Sequence, residues 1–350
     1  MALRPLTLAA ALAALVIALG CSSSGDSGAT ASSAVSTGTG ATGATGGVGG
    51  VGAAGGAGDG GSAASSGGGG SGAGWGDTPP PDYCTLCVLG EGSPIANPAI
   101  DEASGIVASA EHAGIYFLHN DSGDSARFFA IDDGGADRGE FAIEGGTHSD
   151  YEDMARGPCS AGSCLYIGDI GDNDEAISIH TLYRVAEPTT IGPGTHTTLP
   201  NQLKFQYPDA AHNAQTLLVH PITGEIAVVQ TVQTGPSAIY GAGGAWQSGQ
   251  VITLAKLGEI TPPEGSQEIG GGDVHPAGHG ILIRTFTHVY YYRSAGPREP
   301  LATTLSGTPC VLPVAAEPKG EAVAWTAAGD GYVTVSEGTA APINHVVCSE

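Results

Sequence analysis

Three acidic clusters stand close together in this chain: His119-Asn120-Asp121-Ser122-Gly123-Asp124, Asp150-Tyr151-Glu152-Asp153 and Gly168-Asp169-Ile170-Gly171-Asp172-Asn173. Hard carboxylate and carboxamide oxygens on glycine-loosened backbone are the ligands of a calcium-type cation, and of a site that handles phosphate through a bound cation. Glu152 and the distant Glu321 carry the most weight, because each opens an apolar run where a carboxylate is costly unless paired or metal-bound. With Asp153, Asp169 and Asp172 they form the candidate metal-ligand set. Asn120, Asp121, Gln215, Arg284 and Glu337 are candidate binding groups, and His119, Glu152 and Arg284 are the candidates for proton transfer or charge stabilisation. Each has a plainer role. Asp121, Asp124, Asp172 and Asn173 are turn formers, and His119 near a strand end has the setting of a hydrogen-bonded core histidine. Arg284 lies among apolar residues and most simply neutralises Glu152 or Glu321. His275 and His279 flank a Pro-Ala-Gly turn and are not expected to bind metal.

The elements that position these residues repeat. A short apolar strand, a turn, a second strand and a third recur five times, beginning at Gly105-Ile106-Val107-Ala108, Asp153-Met154-Ala155, Thr216-Leu217-Leu218-Val219, Asp273-Val274-His275 and Ala322-Val323-Ala324-Trp325. Four units add a fourth strand, such as Phe141-Ala142-Ile143, Leu203-Lys204-Phe205-Gln206-Tyr207 and Val251-Ile252-Thr253-Leu254. Such units without a convincing helix predict an all-β fold, a β-propeller of five blades, or six if a degenerate blade hides between residues 186 and 212. The fifth unit runs out of chain at Cys348, so a strand near residues 85–89 is expected to complete it and close the ring. In a propeller the start of each inner strand and the end of the next strand share one face. That rule gathers Ser104, Glu152, Gln215, Gly272 and Glu321 with His119-Asn120-Asp121, Gly168-Asp169, Gln230, Arg284 and Ser336-Glu337 on one rim.

The remainder of the chain speaks to compartment. Arg4, the apolar run from Leu6 to Leu19 and Ala18-Leu19-Gly20-Cys21 have the form of a lipoprotein signal peptide over 1–20, with Cys21 lipidated. Ser22 after the cysteine points to the outer membrane or cell surface. Residues 21–78, mostly Gly, Ser, Ala and Thr, form a disordered tether with an r.m.s. reach of about 40 Å. The propeller domain is expected to span 79–350. Net charge is −24 with only three lysines, which disfavours nucleic acid and any membrane contact other than the anchor at Cys21. A monomer with a small-molecule or surface ligand is expected. Six further cysteines in an exported chain read as disulfides: Cys159 with Cys164, and Cys84 or Cys87 with Cys310 or Cys348 across the closing seam.

Ser104-Gly105-Ile106-Val107-Ala108-Ser109, His119-Asn120-Asp121-Ser122-Gly123-Asp124, Tyr151-Glu152-Asp153-Met154-Ala155, Tyr166-Ile167-Gly168-Asp169-Ile170-Gly171-Asp172-Asn173 and Gly320-Glu321-Ala322-Val323-Ala324-Trp325 together resemble a family of secreted bacterial β-propeller proteins. That family is distantly similar to β-propeller phytases and phytase-like esterase domains. The resemblance covers residues 100 to 340 and implies calcium held at the channel mouth by carboxylates, here Glu152, Asp153, Asp169 and Glu321. Gln215 stands where the pattern has a glutamate, and basic residues for phosphate are scarce. No G-x-S-x-G, H-E-x-x-H or P-loop motif occurs in the folded part. A lipid-anchored calcium-binding propeller is therefore expected, with a calcium-dependent phosphoesterase or esterase as the alternative.

Overall fold

The computed structural model describes residues 79–160, 162–242 and 246–349. The segments expected to be a signal peptide, a lipidated Cys21 and a 21–78 tether lie outside the described residues. Five antiparallel blades form the ring. Their inner strands are Ala103–Ala108, Tyr151–Cys159, Ala214–Val219, Ile269–Val274 and Gly320–Trp325. Each pairs with the strand that follows it in the chain, and a third lies outside that one. The fifth blade takes its outermost strand, Val88–Pro94, from the start of the domain, where it pairs antiparallel with Pro342–Val347. The ring thus closes where the sequence predicts. Disulfides Cys87–Cys348 and Cys84–Cys310 fasten this seam to blades five and four, and Cys159–Cys164 clips the first hairpin of blade two.

There is no sixth blade in 186–212. Thr195–Thr198 runs parallel along the outer edge of blade one, and Asn201–Gln206 is the fourth strand of blade two. Blade three is also corrected. Val251–Thr253 crosses to pair in parallel with Asn201–Gln206, and Ala255–Ile260 provides the fourth strand. Both crossings cover strand edges that would otherwise be open to pairing. A short apolar run such as Val251-Ile252-Thr253 says "strand" without saying which partner.

The inner strands are buried at nearly every position because each packs against a neighbouring blade on both faces. Leu217 packs toward blade two and Leu218 toward blade four, as the two-residue period of a strand requires. Five such clusters, one between each pair of neighbouring blades, form the core. The channel at the centre of the ring is filled. The Asp153 carboxylate accepts backbone N–H groups from Leu217 at 2.9 Å and Gly272 at 3.2 Å, and Asp273 accepts that of Trp325 at 2.8 Å. Near Arg156 and Asp273 only about 10 Å³ stays open, space for about one water.

Residues 79–83 lie at the channel face where the inner hairpins turn. There the Tyr83 hydroxyl contacts His275 Nε2 at 2.8 Å and donates to Gly329 O at 3.1 Å. His275 stacks on His279, with ring centroids 4.2 Å apart, so this pair belongs to the N-terminal clasp.

Candidate functional site

One irregularity recurs in all five blades and creates the site. Where each inner strand begins, its pairing with the second strand slips by a residue, leaving Ser104, Glu152, Gln215, Gly270 and Glu321 outside the ladder. A β-bulge of this kind re-aims one side chain. The sequence register is right in four blades, and in the fourth the position belongs to Gly270 rather than Gly272. Gly270 is the place where Glu321 packs: a Cβ there would lie 3.3 Å from the Glu321 Cα and 3.4 Å from its Cγ. Gly272 sits deeper and donates its N–H to Asp153.

The bulges of blades two and five aim Glu152 and Glu321 at one charge network, joined by Asp121 from the end of the second strand of blade one. Carboxylate oxygens of Asp121, Asp150 and Glu152 lie within 4.8 Å of one another, and so do those of Asp121, Glu321 and Glu337. Asp121 belongs to both triads. Glu152 and Glu321 are each only 2 % exposed. Neither Glu321 oxygen has an aligned hydrogen bond, and the Glu152 carboxyl is governed by burial and by the charges around it. Lys319 supplies the one cation of the cluster. Its Nζ is 2.6 Å from Glu337 Oε1 and at ion-pair distance, 2.8 Å, from Glu321 Oε1.

The electrostatics follow from burial and crowding. Burial pushes Glu152 well above the usual carboxylate range, with the charges of Asp121, Asp150 and Glu321 adding to it. Asp150 is pushed up to about 6 by burial and then by Asp121 and Asp169. Burial raises Glu321 to about 7 against the pull of Lys319, and it raises Asp121 as well. Burial works against the Lys319 ammonium, yet its contacts with Glu321 and Glu337 hold its pKa above the usual lysine value. Asp121 and Asp150 bring carboxylate oxygens within 4.8 Å of each other, a like-charge pair that a proton or a cation between them would relieve.

Other residues singled out in the sequence lie elsewhere or support the cluster. Asp169 accepts the backbone N–H groups of Ser149 and Asp150, fixing the turn that presents Asp150. Asp172 accepts from Ala176 and Ile177 as a turn cap. Asn120 clamps a loop, donating to Ala99 O and accepting from Asp101 and Glu102. Asp124 pairs with Arg127 at 2.7 Å. Asp153 is turned into the channel, away from the triads. Gln215 occupies the equivalent bulge in blade three and makes no side-chain hydrogen bond among the described residues. His119 is wholly buried, with Nδ1 facing Asn120 O at 3.0 Å, and burial lowers its pKa to about 4. Arg284 neutralises neither Glu152 nor Glu321. Its Nη2 pairs with Glu317 Oε2 at 2.7 Å, both side chains 1 % exposed, and Glu317 also accepts from Thr334 and from Asn344 at 2.7 Å. This links blades four and five, and a Cβ at Gly320 would collide with the guanidinium.

Sequence reasoning left two groups out of the site. Asp150 was visible in the second cluster but lies before the strand, and Lys319 precedes the inner strand of blade five; Glu317, the partner of Arg284, was also not singled out. The usable signal was the alternation of Lys319 and Glu321 around the bulge. A separate cavity of 620 Å³ between blades two and three, lined by Tyr166, Arg184, Glu225 and Trp246 among others, opens at the opposite face and contains none of the rim residues.

Comparison with protein-family models and with curated proteins found no match for this chain. The structure supports the expected five-bladed propeller and places acidic groups at metal-binding distance, while the resemblance to phytase-like propellers rests on the sequence motifs alone. The arrangement can hold a hard divalent cation: Asp121, Asp150 and Glu152 bring carboxylate oxygens together with no basic side chain among them, and calcium accepts such ligands together with water or carbonyl oxygens.

Proposed function

We propose that this chain is an exported, lipid-anchored propeller that binds a ligand or partner through a calcium-type cation at the acidic mouth of its ring. The observation that supports this reading is the pair of buried carboxylates, Glu152 and Glu321, joined through Asp121, with neither Glu321 oxygen in an aligned hydrogen bond. Two unit charges 4 Å apart repel by about 4 kcal/mol at the effective dielectric of a protein surface. Five carboxylates served by one lysine therefore need protons or another cation. At the neutral pH outside a cell, where protons are scarce, a divalent cation is the better counter-charge. When bound it would offer open coordination positions to oxygen-rich groups of a ligand.

The three disulfides fit an oxidising compartment. No helix among the described residues is long and apolar enough to cross a membrane. Residues 79–83 lie on the face opposite the cluster, so the chain enters the propeller away from the binding mouth.

A second reading rests on Asp150 near 6 and Glu321 near 7, values suited to a general base. It makes the protein a cation-dependent phosphoesterase or esterase. Calcium titration of the full chain, followed by thermal melting and then by a phosphoester and ester panel, separates the readings. The binding reading expects calcium to raise the melting temperature of wild type, less so of Glu152→Gln, with no turnover. Turnover that calcium restores after chelation would favour the enzyme, and a melting temperature indifferent to calcium would defeat both.

A further inference from the structure

The two triads that share Asp121 are not equivalent. The Asp121–Asp150–Glu152 half has no basic side chain in it, whereas the Asp121–Glu321–Glu337 half already holds the Lys319 ammonium, 2.8 Å from Glu321 and 2.6 Å from Glu337. Lys319 is not there by chance of a loose surface chain. Its backbone is tied on both sides: its N–H donates to Ser336 Oγ at 3.1 Å, and its carbonyl accepts from Ser336 Oγ at 2.7 Å and from the Glu337 N–H at 3.2 Å. The ammonium also lies over the Phe286 ring, 5.7 Å from its centre. Beneath it Glu321 is 2 % exposed, with neither oxygen in an aligned hydrogen bond. A buried carboxylate left with unused lone pairs, and aimed at the head of a lysine, marks a cation position that the lysine fills only in part. An ammonium offers one charge and three directed donors, where a divalent ion would take oxygens from all three acids at once.

We infer that Lys319 is a resident cation that occupies the second of two divalent-cation positions, so that the wild-type rim takes one ion where its carboxylates could hold two. This extends the proposed cation site and rests on it for the first ion only. Lys319 then sets the stoichiometry and the net charge of the mouth. The ring presents a lysine ammonium beside a metal ion, a combination that accepts an anionic ligand oxygen more readily than two ions enclosed by carboxylates.

The test is calcium titration by calorimetry on the full chain, comparing wild type with Lys319→Met, which keeps the stem over Phe286 and removes the charge, and with Lys319→Gln in case the first variant folds poorly. Lys319→Arg keeps the cation and serves as the control. The variants lacking the charge are expected to bind one calcium more than wild type, the arginine variant to match wild type, and Glu337→Gln added to Lys319→Met to remove the gained ion. No gain in Lys319→Met and Lys319→Gln overturns the inference, as does a wild type that already binds two ions at the rim. One ion in wild type and one in the variants overturns this inference while sparing the cation site. No ion in wild type and one in the variants does the reverse. No ion in any of them overturns both.

Discussion

Glu152 and Asp153 are neighbours in the chain, and the bulge between them sends their carboxylates to different tasks. Asp153 is fully buried and accepts the N–H groups of Met154, Leu217 and Gly272, tying the inner strands of blades two, three and four together. Asp153→Ala leaves buried donors unpaired at about 1–3 kcal/mol each. It is expected to lower unfolding free energy in a denaturant titration by several kcal/mol while the calcium response of the remaining folded protein persists. Arg284→Met belongs to the same class. Breaking the buried pair with Glu317 should cost about 3–5 kcal/mol without changing calcium affinity, and a lost calcium response with normal stability would return Arg284 to the site. Acidity separates the rim from both. Asp150, raised to about 6, and Glu321, raised to about 7, hold protons more tightly folded than unfolded, where carboxyls titrate near 4. Their stabilising contribution is full below about pH 4 and is lost as pH rises through 6 to 7. In chelator, melting temperature against pH should therefore fall less steeply between pH 5 and 8 in Asp150→Asn and Glu321→Gln than in wild type. Calcium should restore wild-type stability at pH 8 and do little at pH 5.

At the level of strands and turns, glycine makes room for the acids. A Cβ at Gly171 would lie 2.3 Å from both Asp150 Oδ2 and Glu152 Oε1. Nothing in the backbone dihedrals demands glycine there, so the constraint is space alone. Gly171→Ala is expected to weaken calcium binding by tenfold or more in a calorimetric titration, with circular dichroism unchanged. Retained affinity would mean that these two carboxylates do not share an ion. The strands themselves were legible in the sequence, because an inner strand buried on both faces is built mainly of apolar and small residues and its turns carry Gly, Pro, Asp or Asn. Glu152 and Glu321 were legible as violations of that pattern. The bulges were not, since a one-residue slip leaves composition unchanged, and so the blade-four position was placed at Gly272 instead of Gly270. The destination of Val251–Thr253 and the buried partner of Arg284 were hidden for a related reason: both are set by contacts between blades, which local periodicity does not encode.

Over the whole molecule, the ring must be closed by its own termini. Val88–Pro94 completes blade five, and Cys87–Cys348 and Cys84–Cys310 span sequence separations of 261 and 226 residues. Removing Cys87–Cys348 by a double serine substitution should cost about 2–5 kcal/mol in denaturant unfolding. Its effect should reach the rim, because Asp121, Glu152 and Glu321 come from blades one, two and five, which are adjacent only when that seam is shut. The fold thus converts acids far apart in sequence into one mouth, which is the central claim. The most direct measurement is a crystal structure of the protein grown with calcium, with the ion located by its anomalous scattering. The account predicts a calcium bonded to carboxylate oxygens of Asp121, Asp150 and Glu152 at about 2.3–2.6 Å. A map with no ion there under saturating calcium, and Asp121 and Asp150 sharing a proton instead, would contradict it.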